Sequence, residues 1–298
     1  MEGMSTAGPD IHETLVARLI SDQFPQWAAL PIVAVSPQGW DNRTFRLGDE
    51  LTVRLPSAEG YAHQIFKESR WLPFLATHLP VAVPMPIELG RPALGYPFAW
   101  SVNRWLDGEV LSRAPVADMA ALATDLASFL VDLRAVPAED DAPRPGPDTA
   151  HRGGSFAHYA LEARTVLRSL GVESAVTDRV IDEALASQWA GRPVWFHGDV
   201  SVDNILVADG RLAGVLDFGC SGVGDPACDL VIAFTYFTDD TRPVFRQTVG
   251  LDDETWRRAR GWALWKAAIT LVDPNSPRAR RTEQMQALAA VLRDLSGE

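Results

Sequence analysis

Residues Trp195 to Asp229 read WFHGDVSVDNILVADGRLAGVLDFGCSGVGDPACD, and the fold of the whole chain turns on how this stretch is understood. The apolar run Val194-Trp195-Phe196 stops at Gly198. Ile205-Leu206-Val207 and Leu212 to Leu216 are β-prone runs flanking Asp209-Gly210, a strong hairpin signal because both residues tolerate positive φ. Asp199 and Asn204 therefore fall on a loop entering a hairpin, and Asp217 falls where the second strand ends. A tight hairpin returns the chain on itself, so these three polar side chains are predicted to converge. Asn204 and Asp217 offer the hard oxygens that Mg²⁺ prefers while it keeps positions for water and phosphate. Asp199 is left over as a base. Each residue alone is common turn chemistry, but turns do not require a further acid at the end of the outgoing strand.

In register, His197-Gly198-Asp199, Asn204 and Asp217-Phe218-Gly219 resemble the catalytic centre of the protein-kinase-like superfamily. The form His-Gly-Asp resembles its aminoglycoside phosphotransferase branch. The resemblance implies an α+β, two-lobed protein-kinase-like fold, with a small β-sheet N-lobe over 1–105 and a larger, mainly helical C-lobe over 106–298. It also implies an ATP- or GTP-dependent phosphotransferase with an alcohol acceptor, in which Asp199 receives the hydroxyl proton while Asn204 and Asp217 hold Mg²⁺ against the nucleotide phosphates. His197, just before the loop, reads as structural support bonded to a backbone carbonyl. Asp225-Pro226 places an N-cap and a proline at the first helical position, a further support element resembling the family's Gly-Asp-Pro motif.

Composition narrows the remaining possibilities. The chain has 298 residues and is 47% hydrophobic, enough for about two packed domains. No apolar run approaches the roughly 18–20 residues that span a bilayer. MEGMSTAGPD lacks the basic start and apolar core of a signal peptide, which predicts a cytoplasmic protein. Cys220 and Cys228 have no partners at zinc-site spacing, so neither a disulfide framework nor structural zinc is expected. A net charge of −12 argues against nucleic-acid and anionic-membrane partners and suits a cationic acceptor. Lysine is almost absent, with Lys67 and Lys266 the only two.

Along the chain, Asp10 and Glu13 form a capping-box-like start to a helix carrying Ile11, Leu15, Val16 and Leu19. A strand over Val33 to Val35, the turn Ser36 to Asn42 and two runs, Thr44 to Leu47 and Leu51 to Leu55, then read as an antiparallel sheet. By resemblance the turn covers the nucleotide phosphates, yet it holds a single glycine. Where kinases place a strand lysine this chain has Arg54, a planar fork in place of a compact charge. Glu68, on a helix predicted over Tyr61 to Thr77, is placed to pair with Arg54, as the lysine–glutamate pair does at the nucleotide in kinases. A linker is predicted at Arg104 to Gly108, and by resemblance backbone groups near Trp105 and Leu106 meet the purine edge. Pro115 to Val136 is the strongest amphipathic helix, and Pro137 to Gly154 is a long loop of the kind that carries function. Two helices, Phe156 to Leu170 and Glu173 to Ala190, precede the catalytic stretch.

The short reach from Asp217 to Asp225 leaves no room for a long activation segment, which disfavours a protein substrate. The acceptor is expected to be a small-molecule hydroxyl, foremost that of an aminoglycoside-like or other antibiotic. The alternatives are a metabolic acceptor such as choline, homoserine or a sugar, and a non-catalytic nucleotide-binding regulator. Asp239, Asp240, Asp252, Asp253 and Glu254 are candidates to bind acceptor ammonium groups.

Overall fold

The computed structural model describes residues 8–36 and 38–296. The expectations resting on Met1 to Ala7, and on Pro37 within the Ser36–Asn42 turn, lie outside the described residues. The chain divides into two compact units, Met1–Thr77 with Ala82–Asp107 and His78–Val81 with Gly108–Glu298.

The first unit opens with α1 (Glu13–Gln23), whose N-cap is His12 rather than Asp10: the imidazole Nδ1 accepts from the Leu15 N–H at 3.3 Å. Five antiparallel strands follow in the spatial order β1-β2-β3-β5-β4: β1 (Ile32–Ala34), β2 (Asn42–Leu47), β3 (Leu51–Pro56), β4 (Pro86–Gly90) and β5 (Trp100–Arg104). Because side chains alternate along a strand, β3 sends Leu51, Val53 and Leu55 to the core and turns Thr52 and Arg54 to the other face. Leu19 and Ile20 of α1 pack with Phe45, Val53, Trp100 and Val102 in this core. Each such side chain contributes roughly 1.5–3 kcal/mol. The predicted helix from Tyr61 to Thr77 is two pieces, α2 (Glu59–Ala62) and α3 (Gln64–Ala76).

The second unit begins with the short β6 (Glu109–Val110) and α4 (Met119–Ala135), capped by Asp118, whose carboxylate accepts from the Ala121 N–H at 2.9 Å. Next come α5 (Ala157–Ser169) and α6 (Ala175–Ala186), the latter started by a Ser174–Thr177 capping box. The stretch from Val194 to Asp229 supplies β7 (Val194–Phe196), β8 (Ile205–Ala208), β9 (Arg211–Val215) and β10 (Gly222–Gly224). β8 and β9 form the predicted hairpin, with Asp209 at φ 51° and Gly210 at φ 75°, flanked by β6; β10 pairs with β7. The launch of a single helix at Asp225-Pro226 is corrected: a 3-10 segment, Pro226–Val231, precedes α7 (Ile232–Thr235). The chain ends in α8 (Arg242–Val249), α9 (Asp253–Val272) and α10 (Arg278–Ser296). α9 is buried nearly all round, packing on α5, α6, α10 and the 3-10 segment, as expected of a helix at the centre of a unit. Among the described residues no helix is long and apolar enough to cross a membrane.

Candidate active site

The hairpin brings the loop and the end of β9 together. The Leu216 N–H donates to the Asn204 carbonyl at 2.7 Å, so Asn204 is clamped one residue from Asp217. Asn204 Nδ2 donates to the Asp199 carbonyl at 3.0 Å and lies 3.5 Å from Asp199 Oδ2. That contact engages the amide nitrogen on the loop and presents the amide oxygen as the atom to meet a cation. Asp217 sits in the left-handed region at φ 61°, a conformation that aspartate tolerates better than most residues, and its carboxylate accepts from the Gly219 N–H at 3.4 Å. Backbone held in so sparsely populated a region is a recurrent feature of functional sites. One carboxylate and one amide oxygen fit Mg²⁺, which takes few protein ligands and completes its octahedron with water and phosphate oxygens.

The loop itself is held from below. Asp229, 2% exposed, accepts from the His197 N–H at 2.9 Å through Oδ2 and from the Gly198 N–H at 2.7 Å through Oδ1. Burial pushes its carboxyl up in spite of these bonds. His197 is fully buried; Nε2 donates to the Leu216 carbonyl at 2.8 Å while Nδ1 accepts from the Asp199 N–H at 3.2 Å. The ring thus ties the start of the loop to the end of the hairpin, and this bonding pattern fixes its tautomer. Gly198 has φ 89°, and a Cβ there would lie 2.6 Å from the Cys220 carbonyl oxygen, so no side chain is accommodated between the histidine and the aspartate. Asp225 caps the Ala227 N–H at 3.0 Å and pairs with Arg258 of α9 at 2.7 Å, both side chains almost wholly buried. Burial pushes the Asp225 carboxyl up, against the pull of Arg258.

The group that sequence reasoning missed is Lys266. From α9 its Nζ reaches Asp199 Oδ1 at 2.6 Å. Burial pushes the Asp199 carboxyl up, but the charge and hydrogen bond of Lys266, with Arg152 and His197 nearby, outweigh it and hold the group at about 2. Asp199 is therefore a carboxylate at every physiological pH. Arg152 comes from the long loop before α5; its Nε donates to the Gly198 carbonyl at 3.1 Å, and its guanidinium lies 4.3 Å from the Trp265 ring centre.

These groups line a recess wholly within the second unit: Asp199, Lys266, Arg152, Arg280, Glu283 and Gln284, walled by Trp262 and Trp265. The five acids proposed for ammonium groups are not among its lining residues. Asp239 pairs with Arg242 and Arg293, Asp252 caps α9, Asp253 pairs with Arg246 and Glu254 with Arg257. Asp240 is exposed elsewhere on the surface. Capping and surface pairing use Asp239, Asp252, Asp253 and Glu254 because each opens a helix or faces an arginine one turn away.

In the first unit, Arg54 Nη1 lies 2.9 Å from Glu68 Oε2, with 11% and 4% of the two side chains exposed. Trp105 carries the Arg46 guanidinium 4.4 Å from its ring centre. Its backbone N–H donates to the Glu50 carbonyl at 2.7 Å, so of the backbone groups near Trp105 and Leu106 expected at a purine edge, this one is engaged by the sheet. Cys220 and Cys228 are both free thiols.

The model of the phosphotransferase enzyme family, APH, matches residues 33–262, more than half of the chain, and the protein belongs to that family. An aminoglycoside 3'-phosphotransferase from Escherichia coli is 26% identical over 187 residues, 58% of this chain; the chain spans 64% of that relative's length. Among solved structures, the GDP complex of aminoglycoside 2'-phosphotransferase-IIIa aligns with 96% of this chain and all of its own at a TM-score of 0.72 and 18% identity. The macrolide 2'-phosphotransferase MphH from Brachybacterium faecium aligns with 93% of this chain and 97% of its own at a TM-score of 0.60 and 24% identity. These likenesses establish the fold as the α+β protein-kinase-like one, with an N-terminal antiparallel sheet and a mainly helical C-terminal part.

Proposed function

We propose that the protein transfers the γ-phosphoryl group of ATP or GTP to a hydroxyl of a small molecule. The observation that supports this reading is the pair of bonds Leu216–Asn204 and Asn204–Asp199, which holds Asn204 against Asp199 and against the strand end next to Asp217. In the reaction a bond forms from the acceptor oxygen to phosphorus and the bond to the bridging oxygen breaks. The nucleoside diphosphate leaves with that electron pair, and the hydroxyl proton passes to Asp199. A carboxyl held at about 2 is a weak base, so Asp199 serves first to aim the hydroxyl and takes the proton late, when the transition state has made it acidic. Lys266 fixes one carboxylate oxygen, which sets the direction of the other. Asn204 and Asp217 would hold Mg²⁺, which when bound neutralises phosphate charge and orients the nucleotide.

Arg54, kept in place by Glu68, is assigned to the nucleotide phosphates, and Leu106 with the carbonyl of Trp105 to its base. The N-lobe, 1–105, would thus cover the nucleotide and the C-lobe, 106–298, would carry the chemistry and the acceptor. The likeness to aminoglycoside and macrolide phosphotransferases supports an antibiotic as acceptor, and with it a cytoplasmic site of action. A metabolic hydroxyl compound is the alternative, favoured by the presence of cations as well as acids in the recess. A panel of acceptors assayed by Mg-nucleotide consumption tests the reading. Transfer to at least one hydroxyl compound, absent in Asp199→Ala, is expected; equal turnover by parent and variant would contradict it.

A further inference from the structure

The recess beside Asp199 differs from what a polycationic ligand requires. Three of its lining side chains are cations, Arg152, Lys266 and Arg280, against two acids, Asp199 and Glu283. Asp199 is already paired with Lys266. Burial pushes the Glu283 carboxyl up, while Arg280 beside it pulls the other way. The aromatic wall is also taken: the Trp265 face that could receive a ligand ammonium already carries the Arg152 guanidinium at 4.3 Å. The acids flanking the recess are already engaged: Asp203 pairs with Arg280, and Glu162 accepts from the Trp265 indole N–H at 2.6 Å.

Two buried polar atoms lining the recess have no hydrogen-bond partner among the described residues. Gln284, 4% exposed, leaves Oε1 unpaired while its Nε2 donates to Glu283 at 3.2 Å. Arg152, 8% exposed, leaves Nη1 unpaired while its Nε holds Gly198. A buried polar atom without a partner is costly, so each marks a valence that a bound molecule can complete. One is an acceptor and one a donor, a pairing that a hydroxyl beside a second oxygen satisfies and an ammonium group by itself does not.

Resting on the transferase reading, we propose that the acceptor is an oxygen-rich hydroxy compound bearing at most one positive charge, read by Gln284 and Arg152, and not a polycationic aminoglycoside. Gln284 Oε1 takes a hydroxyl hydrogen of the ligand, and Arg152 Nη1 donates to a neighbouring ligand oxygen. The recess as it stands has room of about 20 Å³, on the order of one water, so Lys266 and the α10 side chains shift as the acceptor enters.

The test uses the full-length parent with Mg-ATP and Mg-GTP and three probes: kanamycin as polycation, erythromycin as a singly charged macrolide, and methyl glucoside as a neutral polyol. Nucleotide hydrolysis without acceptor, lost in Asp199→Ala, reports the transferase reading by itself and is measured first. Given that activity, at least one of the two low-charge probes is expected to show kcat/KM tenfold or more above that for kanamycin. Gln284→Leu is expected to raise the KM of the preferred probe about five- to twentyfold with kcat less affected. Kanamycin preferred over both other probes, or no probe raising turnover above hydrolysis, overturns the assignment. So does a Gln284→Leu variant with an unchanged KM; should that variant fail to fold, the ranking of the three probes by the parent still decides.

Discussion

The His197–Asn204 loop and the recess next to it are built on opposite terms. In the loop, the His197 and Gly198 N–H groups end on Asp229, the Asp199 N–H on His197 and the Asn204 amide on the Asp199 carbonyl. In the recess, by contrast, charges of both signs crowd together and Gln284 Oε1 and Arg152 Nη1 lack hydrogen-bond partners among the described residues. The first arrangement fixes atoms before any ligand arrives, which is how phosphoryl transfer is accelerated with little covalent chemistry. The second leaves hydrogen-bonding capacity for the proposed acceptor. Substitutions in the loop should therefore alter stability and turnover together, whereas those in the recess should alter acceptor handling.

The largest effect should come from the support beneath the loop. Arg258→Met leaves the buried Asp225 without its ion pair, and truncating one partner of such a pair costs about 3–5 kcal/mol. Urea denaturation should register the loss; a midpoint equal to the parent's would show that the pair contributes nothing. Asp229→Asn exchanges one acceptor oxygen for a donor, so either His197 or Gly198 loses its partner. A cost of about 1–3 kcal/mol is expected, with turnover falling on the order of tenfold. Loss of stability without loss of turnover would separate the loop's anchoring from its chemistry.

Lys266 belongs to both regions. In the parent, burial raises the Asp199 carboxyl and Lys266 more than compensates, so the ionised form persists down to about pH 2. The folded group lies below its unfolded value, so its contribution to stability is present above the ordinary aspartate range and is lost as pH falls toward about 2. Lys266→Met removes the first compensating cause and leaves burial opposed only by Arg152 and His197. The acidic limb of the kcat/KM profile should then move upward, and Lys266→Arg should restore it. An unmoved limb in Lys266→Met would mean that the ion pair does not govern Asp199. The smallest effect is expected at Asp253, exposed and paired with Arg246. Asp253→Ser should leave acceptor KM within about twofold, and a larger rise would return the surface acids to acceptor binding.

What could be read in the sequence follows the range of the interactions. The approach of Asn204 to Asp199 and to the strand end before Asp217 was legible because a hairpin with an Asp-Gly turn relates these positions locally. β10 was not, since a three-residue run of Gly222-Val223-Gly224 has no strand signature and exists only by pairing with β7. Lys266 was visible only as one of two lysines in an arginine-rich chain; its approach to Asp199, 67 positions away, depends on α9 packing beside the loop. The five acids misled because charge shows in sequence and capping geometry does not. Arg152 illustrates the opposite case, for the loop that contains it was marked by length alone, and the arginine's partners are a carbonyl and aromatic rings with no local spacing.

The central claim, that a carboxylate and an amide oxygen hold the metal–nucleotide while a neighbouring carboxylate aims the acceptor, is tested most directly by titrating Mg-nucleotide into Asp199→Ala and Asp217→Ala by calorimetry beside turnover assays. The predicted outcome is nucleotide affinity within about twofold of the parent for Asp199→Ala, with transfer reduced 10²-fold or more, and Mg²⁺-dependent affinity lost in Asp217→Ala. Parent-like turnover in Asp199→Ala, or parent-like Mg²⁺-dependent binding in Asp217→Ala, would contradict it.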